Sequence, residues 1–203
     1  MKTLRSFLRD ENGGPAAEFA LVLPIALIFL FGIIDVGRYM WEVNRAEKAT
    51  QTGARWAVAT DIIAEGLVDY SFAIDGGILQ GDPIDGAAFP GVSCTDSGDC
   101  ACAPGGTCDF GLSRNGNAFN LLVGRMDDIK PEIIGSKVSV NYAFSGLGYA
   151  GDPNGVDVAP LVTVTVSDLV FTPLLGALLG VSFNLPTLSY SLTLEDGQGD
   201  WSN

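Results

Sequence analysis

The chain has 203 residues, four cysteines and no histidine, so it lacks both the commonest catalytic base and the commonest metal ligand. Its formal net charge of −13 is uneven: seven basic and six acidic residues run through Trp56, and four basic and eighteen acidic ones follow. An acidic exterior of that kind argues against nucleic acid and anionic membrane surfaces as partners, and it suits one soluble domain outside the cell beside a membrane anchor.

The first twelve residues, MKTLRSFLRDEN, form a short basic leader, and Gly13 and Gly14 follow it. From Phe19 to Ile34 there is no charge and no strongly polar residue. Extended back to Pro15, the run reaches the ~20 residues a helix needs to cross a bilayer. A secretory signal peptide has a shorter apolar region, about 7–15 residues, closed by a small-x-small site. Here the run ends at Asp35-Val36-Gly37-Arg38. A buried soluble helix is disfavoured because an uninterrupted apolar run of this length is rare in soluble cores. The reading is therefore a leader over 1–13, a transmembrane helix over 14–41 and an extracytoplasmic domain over 42–203. Lys2, Arg5 and Arg9 precede the span and set the N-terminus in the cytoplasm. Glu18, at the leading edge, is either a wet carboxylate at headgroup level or one paired with a cation. A cut between Gly13 and Gly14 would place a new α-amine one helical turn before it.

Beyond the span the helix is expected to continue to about Leu67, with Gly66 or Gly76-Gly77 as its stop. Asp35, Arg38, Glu42 and Arg45 share one face with alternating sign and read as a solvated stripe. Ala46, Ala49, Gly53 and Ala57 form a stripe of small residues. Such a stripe admits the close approach of another helix, and it equally suits packing on the chain's own sheet. With Pro24 inside the apolar run, a kink is expected there.

The middle of the chain, Asp75–Asn120, is rich in Gly, Asp and Pro and reads as loop. It holds Cys94, Cys100, Cys102 and Cys108, spaced C-x5-C-x-C-x5-C. An even number in an exported loop reads as two disulfides within 94–108, with three possible connectivities. Zinc competes for the same thiols, but the C-x2–4-C knuckles of zinc sites are absent. GDPIDG and GDPNGVD carry carboxylates that could hold calcium; Asp and Gly are also ordinary turn residues.

A short helix is expected around Leu121–Ile129, ended by Pro131. Lys137–Phe144, Leu161–Phe171 and Leu188–Leu194 alternate like half-buried strands, so strands are expected within 137–195. Between the last two lies TPLLGALLGVSFNLP, too short and too broken for a second span. It reads as a core-packed loop or short helix, with an interfacial segment as the lesser alternative. The plan is α+β: a long N-terminal membrane helix running into a domain with an antiparallel sheet. No nucleophile elbow, zinc-protease helix or phosphate loop is present. No enzyme activity, cofactor or metal is expected.

Gly13, Gly14-Pro15-Ala16-Ala17, then Glu18-Phe19 resembles the prepilin-peptidase site of type IVb pilins. The longer stretch FLRDENGGPAAEFALVLPIALIFLFGIIDVGRYMW resembles the start of the TadE-like family, pseudopilins of the Flp/Tad pilus system. AEKATQTGARWAV and the last strands, LVTVTVSDLVFTPLLGALLG and LPTLSYSLTLED, are also similar to that family. The resemblance is close over roughly the first sixty residues and looser over the last forty; Asp61–Gly135 carries none of it. It implies a minor pilin or pseudopilin in the inner membrane of a bacterium, its domain periplasmic or extracellular. It implies prepilin peptidase, other pilin-like subunits and the pilus assembly machinery as partners. Glu18 would pair with a neighbouring subunit, and Ala46, Ala49, Gly53 and Ala57 would pack helix on helix. The alternative is a membrane-tethered adhesion or binding module that never enters a filament.

Overall fold

The computed structural model describes residues 14–153 and 155–197. The expected leader and Gly13 lie outside the described residues. The chain divides into two units: the part up to Glu42 with Phe171–Phe183, and Val43–Val170 with the part from Asn184 onward.

Helix α1 runs Gly14–Ala59, with Pro24 inside it, and supplies residues to both units. The rest of the first unit is a hairpin, Phe171–Phe183, that carries the short helix α3, Leu174–Leu179. Pro173 stands at the N-cap of α3, and Gly180 ends it with a left-handed φ of 70°. That conformation is nearly free of cost only for glycine. It lets the Val181 N–H reach the Gly176 carbonyl at 2.8 Å and turn the chain back. The expected short helix is thus formed, flanked by the two-residue strands β5, Val170–Phe171, and β6, Phe183–Asn184, which pair with each other.

The second unit holds a five-stranded sheet in the order β2-β1-β3-β4-β7. The strands are β1 Val92–Cys94, β2 Ala101–Cys102, β3 Val138–Ala143, β4 Leu161–Val166 and β7 Leu188–Thr193, and every pairing is antiparallel. The period of two sends Val138, Val140 and Tyr142 of β3, and Val162, Val164 and Val166 of β4, to the buried face. Register sets Tyr142 opposite Val162 and Val140 opposite Val164, so the β-branched side chains stack across strands. Three expected strands are present, with two differences. The expected strand Leu161–Phe171 is broken between β4 and β5, where Asp168 takes a left-handed φ of 58°. The cysteine loop, read as irregular, contributes β1 and β2 to one edge of the sheet.

Helix α2, Gly116–Asp127, starts five residues before its expected position. The Asn115 side chain caps it by accepting the Ala118 N–H at 3.0 Å. Its Phe119, Leu122 and Met126 are fully buried. On the second half of α1, Ala46, Ala49 and Ala57 are buried as well. A Cβ added at Gly53 would lie 2.6 Å from Met126 Sδ. Arg45 donates to the Ile129 carbonyl, and the Arg125 guanidinium lies 4.6 Å from the Trp56 ring centroid. Of the two uses expected for the small stripe, packing within the chain's own domain is the one these contacts favour.

The helix also stops at Ala59, short of the expected Leu67. Thr60-Asp61-Ile62-Ile63 are weak helix formers, and their backbone is claimed elsewhere. Ile62 N–H donates to the Gly197 carbonyl, and the Ile63 carbonyl accepts Asn115 N–H. A single 3₁₀ turn, Glu65–Leu67, follows.

Candidate functional site

The first unit contains the residues that the sequence singles out for a membrane. Twelve large apolar side chains between Phe19 and Ile34 are exposed; Phe19 is 65%, Ile25 70% and Phe29 71% accessible. Among the described residues α1 is the one helix long and apolar enough to cross a membrane, and its most apolar stretch is not buried at all in the chain. Covering a large apolar side chain is worth about 1.5–3 kcal/mol, so this surface requires lipid or other helices around it. Ile28, Phe29, Gly32, Ile33 and Val36 form a shallow apolar notch along it. Nothing lies within 4 Å of where a Cβ on Gly32 would stand. Glu18 and Gly14 are exposed and one helical turn apart on α1.

The apolar run ends in a clamp. Asp35 is 8% accessible. Its carboxylate accepts the Leu174 N–H at 2.8 Å, the Leu175 N–H at 3.4 Å and Arg38 Nη1 at 3.1 Å. Pro173 has no N–H, so Asp35 takes up the first free donors of α3 and complements the positive end of its backbone dipoles. The Arg38 guanidinium also lies 5.4 Å from the Phe171 ring centroid, and Tyr39 meets that ring edge-on at 5.5 Å. The expected solvated stripe is thus corrected at two positions: Asp35 is buried and bonded, and Arg45 is drawn onto Ile129. Sequence reading missed the clamp. Its signal was a carboxylate directly after the apolar run, together with a Pro-Leu-Leu start that carries no acceptor of its own.

In the second unit the cysteines form Cys94–Cys100 and Cys102–Cys108. All four thiols are consumed: one bridge ties the end of β1 to the residue before β2, and the other ties β2 to the loop that follows it. The carboxylates of the two Asp-Gly turns are engaged by backbone donors. Asp85 accepts Ala87 and Ala88 N–H, and the buried Asp157 accepts Phe72 and Asp152 N–H. The bonds to Ala87, Ala88 and Asp152 are local turn contacts, and the one to Phe72 ties the second turn to a distant segment. Two adjoining clefts are acidic, lined by Asp61, Glu65, Asp69 and Asp75. Beside them the Tyr70 phenol is pushed upward by burial and by Asp109 and Asp75.

No curated protein and no solved structure matches this chain. Residues 13–55, which carry the Gly14–Glu18 turn, the exposed apolar run and Ala46, Ala49 and Gly53 of the small stripe, match the family model described as TadE-like protein, so this stretch is similar to that family.

Proposed function

We propose that the chain is a minor pilin or pseudopilin that takes part in assembly of a Flp/Tad (type IVb) pilus. The observation that carries this is a TadE-like segment whose apolar surface is left bare by its own chain. In the membrane that surface faces lipid, and in an assembly it faces the equivalent helices of other pilin-like subunits. The Gly32 notch, rather than the small stripe around Gly53, supplies the place of close approach. The N-terminus lies in the cytoplasm and the acidic domain outside the inner membrane, in keeping with the basic residues before the span. Prepilin peptidase cuts between Gly13 and Gly14, and Glu18 then pairs with a free α-amine. The domain works by packing and recognition, not by catalysis. N-terminal mass analysis of the native protein, with fractionation of sheared pili, tests the reading. A mature chain beginning at Gly14 and found with pili is expected. A chain that keeps Met1 and never leaves the membrane fraction would make it a tethered binding module instead.

A further inference from the structure

Between Asp168 and Glu195 the sequence carries no charged residue, although the chain from Ala57 onward is strongly acidic. The first half of this stretch holds the Phe171–Phe183 hairpin, which groups with the apolar part of α1 rather than with the sheet domain. Its inner side is filled by Phe171, Pro173 and Gly176. Leu174, Val181 and Phe183 are left bare, Phe183 at 55% accessibility.

The clamp fixes the height of this bare surface. Ile34 is the last residue of the charge-free run, and the next residue, Asp35, binds the Leu174 N–H. If Ile34 marks the hydrocarbon boundary, α3 begins at that boundary. Arg38 stands about 4.5 Å further out along the helix, within the headgroup layer. Tyr39 and Trp41 follow at the level where membrane proteins concentrate such rings. Several backbone N–H groups of the hairpin are paired, as that environment favours. Asp35 accepts the leading N–H groups of α3, Ala177 N–H donates to the Pro173 carbonyl, and Val181 N–H donates to the Gly176 carbonyl.

We infer that the Phe171–Phe183 hairpin is a second membrane contact, an interfacial foot that the Asp35 clamp seats in the headgroup layer on the domain side of the span. It rests on the reading of α1 as a membrane helix. The acidic domain has little attraction to an anionic bilayer, and the absence of charge between Asp168 and Glu195 removes the repulsion where contact occurs. With two attachments on one side, the foot restricts rotation of the chain about the span. It thereby limits which face of α1 an incoming helix meets.

The test uses full-length protein in phosphatidylethanolamine–phosphatidylglycerol vesicles. Since the native cysteines are paired, Phe183→Cys, Val181→Cys, Ile28→Cys and Ile74→Cys each offer one thiol for an environment-sensitive fluorophore. Ile28 reports the span, and Ile74, 84% accessible, reports the sheet domain. The expected result is a blue shift at 183 and 181 relative to 74, with stronger quenching by nitroxide on the headgroup than by nitroxide deep in the acyl chain. The Ile28 label should show the opposite order of quenching. An Ile28 label in lipid with 183 and 181 labels as wet as 74 overturns the foot and leaves the span standing. An Ile28 label as wet as 74 overturns both. Labels at 183 and 181 that are protected only in assembled pili, never in vesicles, overturn the membrane contact and assign the surface to a neighbouring subunit.

Discussion

The Asp35 carboxylate accepts the backbone N–H of Leu174 at 2.8 Å, across 139 residues of sequence. This bond joins the last turn of an apolar run to a hairpin that the chain reaches only after building most of its sheet. A carboxylate at that point costs little in the fold because three donors converge on it.

Removing that carboxylate should release the hairpin locally. Asp35→Leu leaves the Leu174 and Leu175 N–H groups without their acceptor, a loss of about 1–3 kcal/mol. Amide hydrogen exchange at 174 and 175 should quicken by roughly ten- to a hundredfold, the ratio equivalent to that energy. Exchange at Val140 and Val164 in the sheet should stay as it was. Equal acceleration at both places would mean that the carboxylate supports the whole fold rather than the hairpin.

Gly53 and Gly32 separate self-packing from partner packing. Gly53→Leu drives a side chain into Met126 and should cost about 1–3 kcal/mol by overpacking. In a chain of this size each kcal/mol lowers Tm by about 2–4 °C. Gly32→Leu meets open space, so the melting of the sheet domain should not move. Association with sibling subunits, read by co-purification, should fall for Gly32→Leu at unchanged Tm. If Gly53→Leu melts normally and loses partners, the stripe serves other helices after all.

Much of this was legible in the sequence, and the misses share a cause. The long apolar helix, the strands around Val140, Val164 and Tyr190, and the formation of disulfides follow from local pattern. The end of α1 did not, because Ile62 N–H is taken by Gly197, far along the chain. A stripe of small residues says that something approaches closely, and only the fold says that Met126 is what approaches. Asp35 looked like one member of a charged face because two of its three donors are backbone groups, of Leu174 and Leu175, which no side-chain pattern records.

Tyr142 makes stability depend on alkaline pH. Its hydroxyl accepts the Ile63 N–H at 3.0 Å in the core, and burial pushes its pKa far above the usual 10.0. The folded chain therefore keeps a proton that the unfolded chain releases. The contribution is whole below pH 10 and declines above it by about 1.4 kcal/mol per pH unit. Denaturant unfolding measured on both sides of pH 10 should show that slope. Tyr142→Phe should flatten it, while lowering stability at neutral pH by about 1–3 kcal/mol because Ile63 N–H loses its acceptor. Tyr70 and Tyr149, also pushed upward but near the surface, should leave a small residual slope.

The disulfide connectivity can be read by one cut. Cys94–Cys100 and Cys102–Cys108 lie on either side of Ala101. Cleavage after Ala101 under non-reducing conditions should separate the two bridges into different fragments. Either crossed connectivity would hold the fragments together until reduction. Each bridge closes a short loop worth about 2 kcal/mol by chain entropy, so reduction should loosen β1 and β2 before β3 and β4.

Glu18 carries the functional reading furthest. Gly13, at the expected cut, has no side chain to obstruct a confined peptidase site, so Gly13→Leu should leave the leader attached while the protein still enters the membrane. Once cut, the α-amine of Gly14 is a cation one helical turn from Glu18. A carboxylate and an ammonium leaving the headgroups for a packed filament each lose hydration, a cost of several kcal/mol per ion unless they meet. Pairing across subunits would cancel both charges and set the axial register of neighbouring helices. Glu18→Gln keeps the size and much of the hydrogen bonding of the side chain and removes its charge. Insertion should be normal and cleavage nearly so, while assembly into pili should fail or fall sharply. In a strain lacking its own copy, piliation by the Gln variant at the parental level would reduce Glu18 to a wet carboxylate at the edge of an anchor, and the register of the assembly would have to come from the Gly32 notch alone.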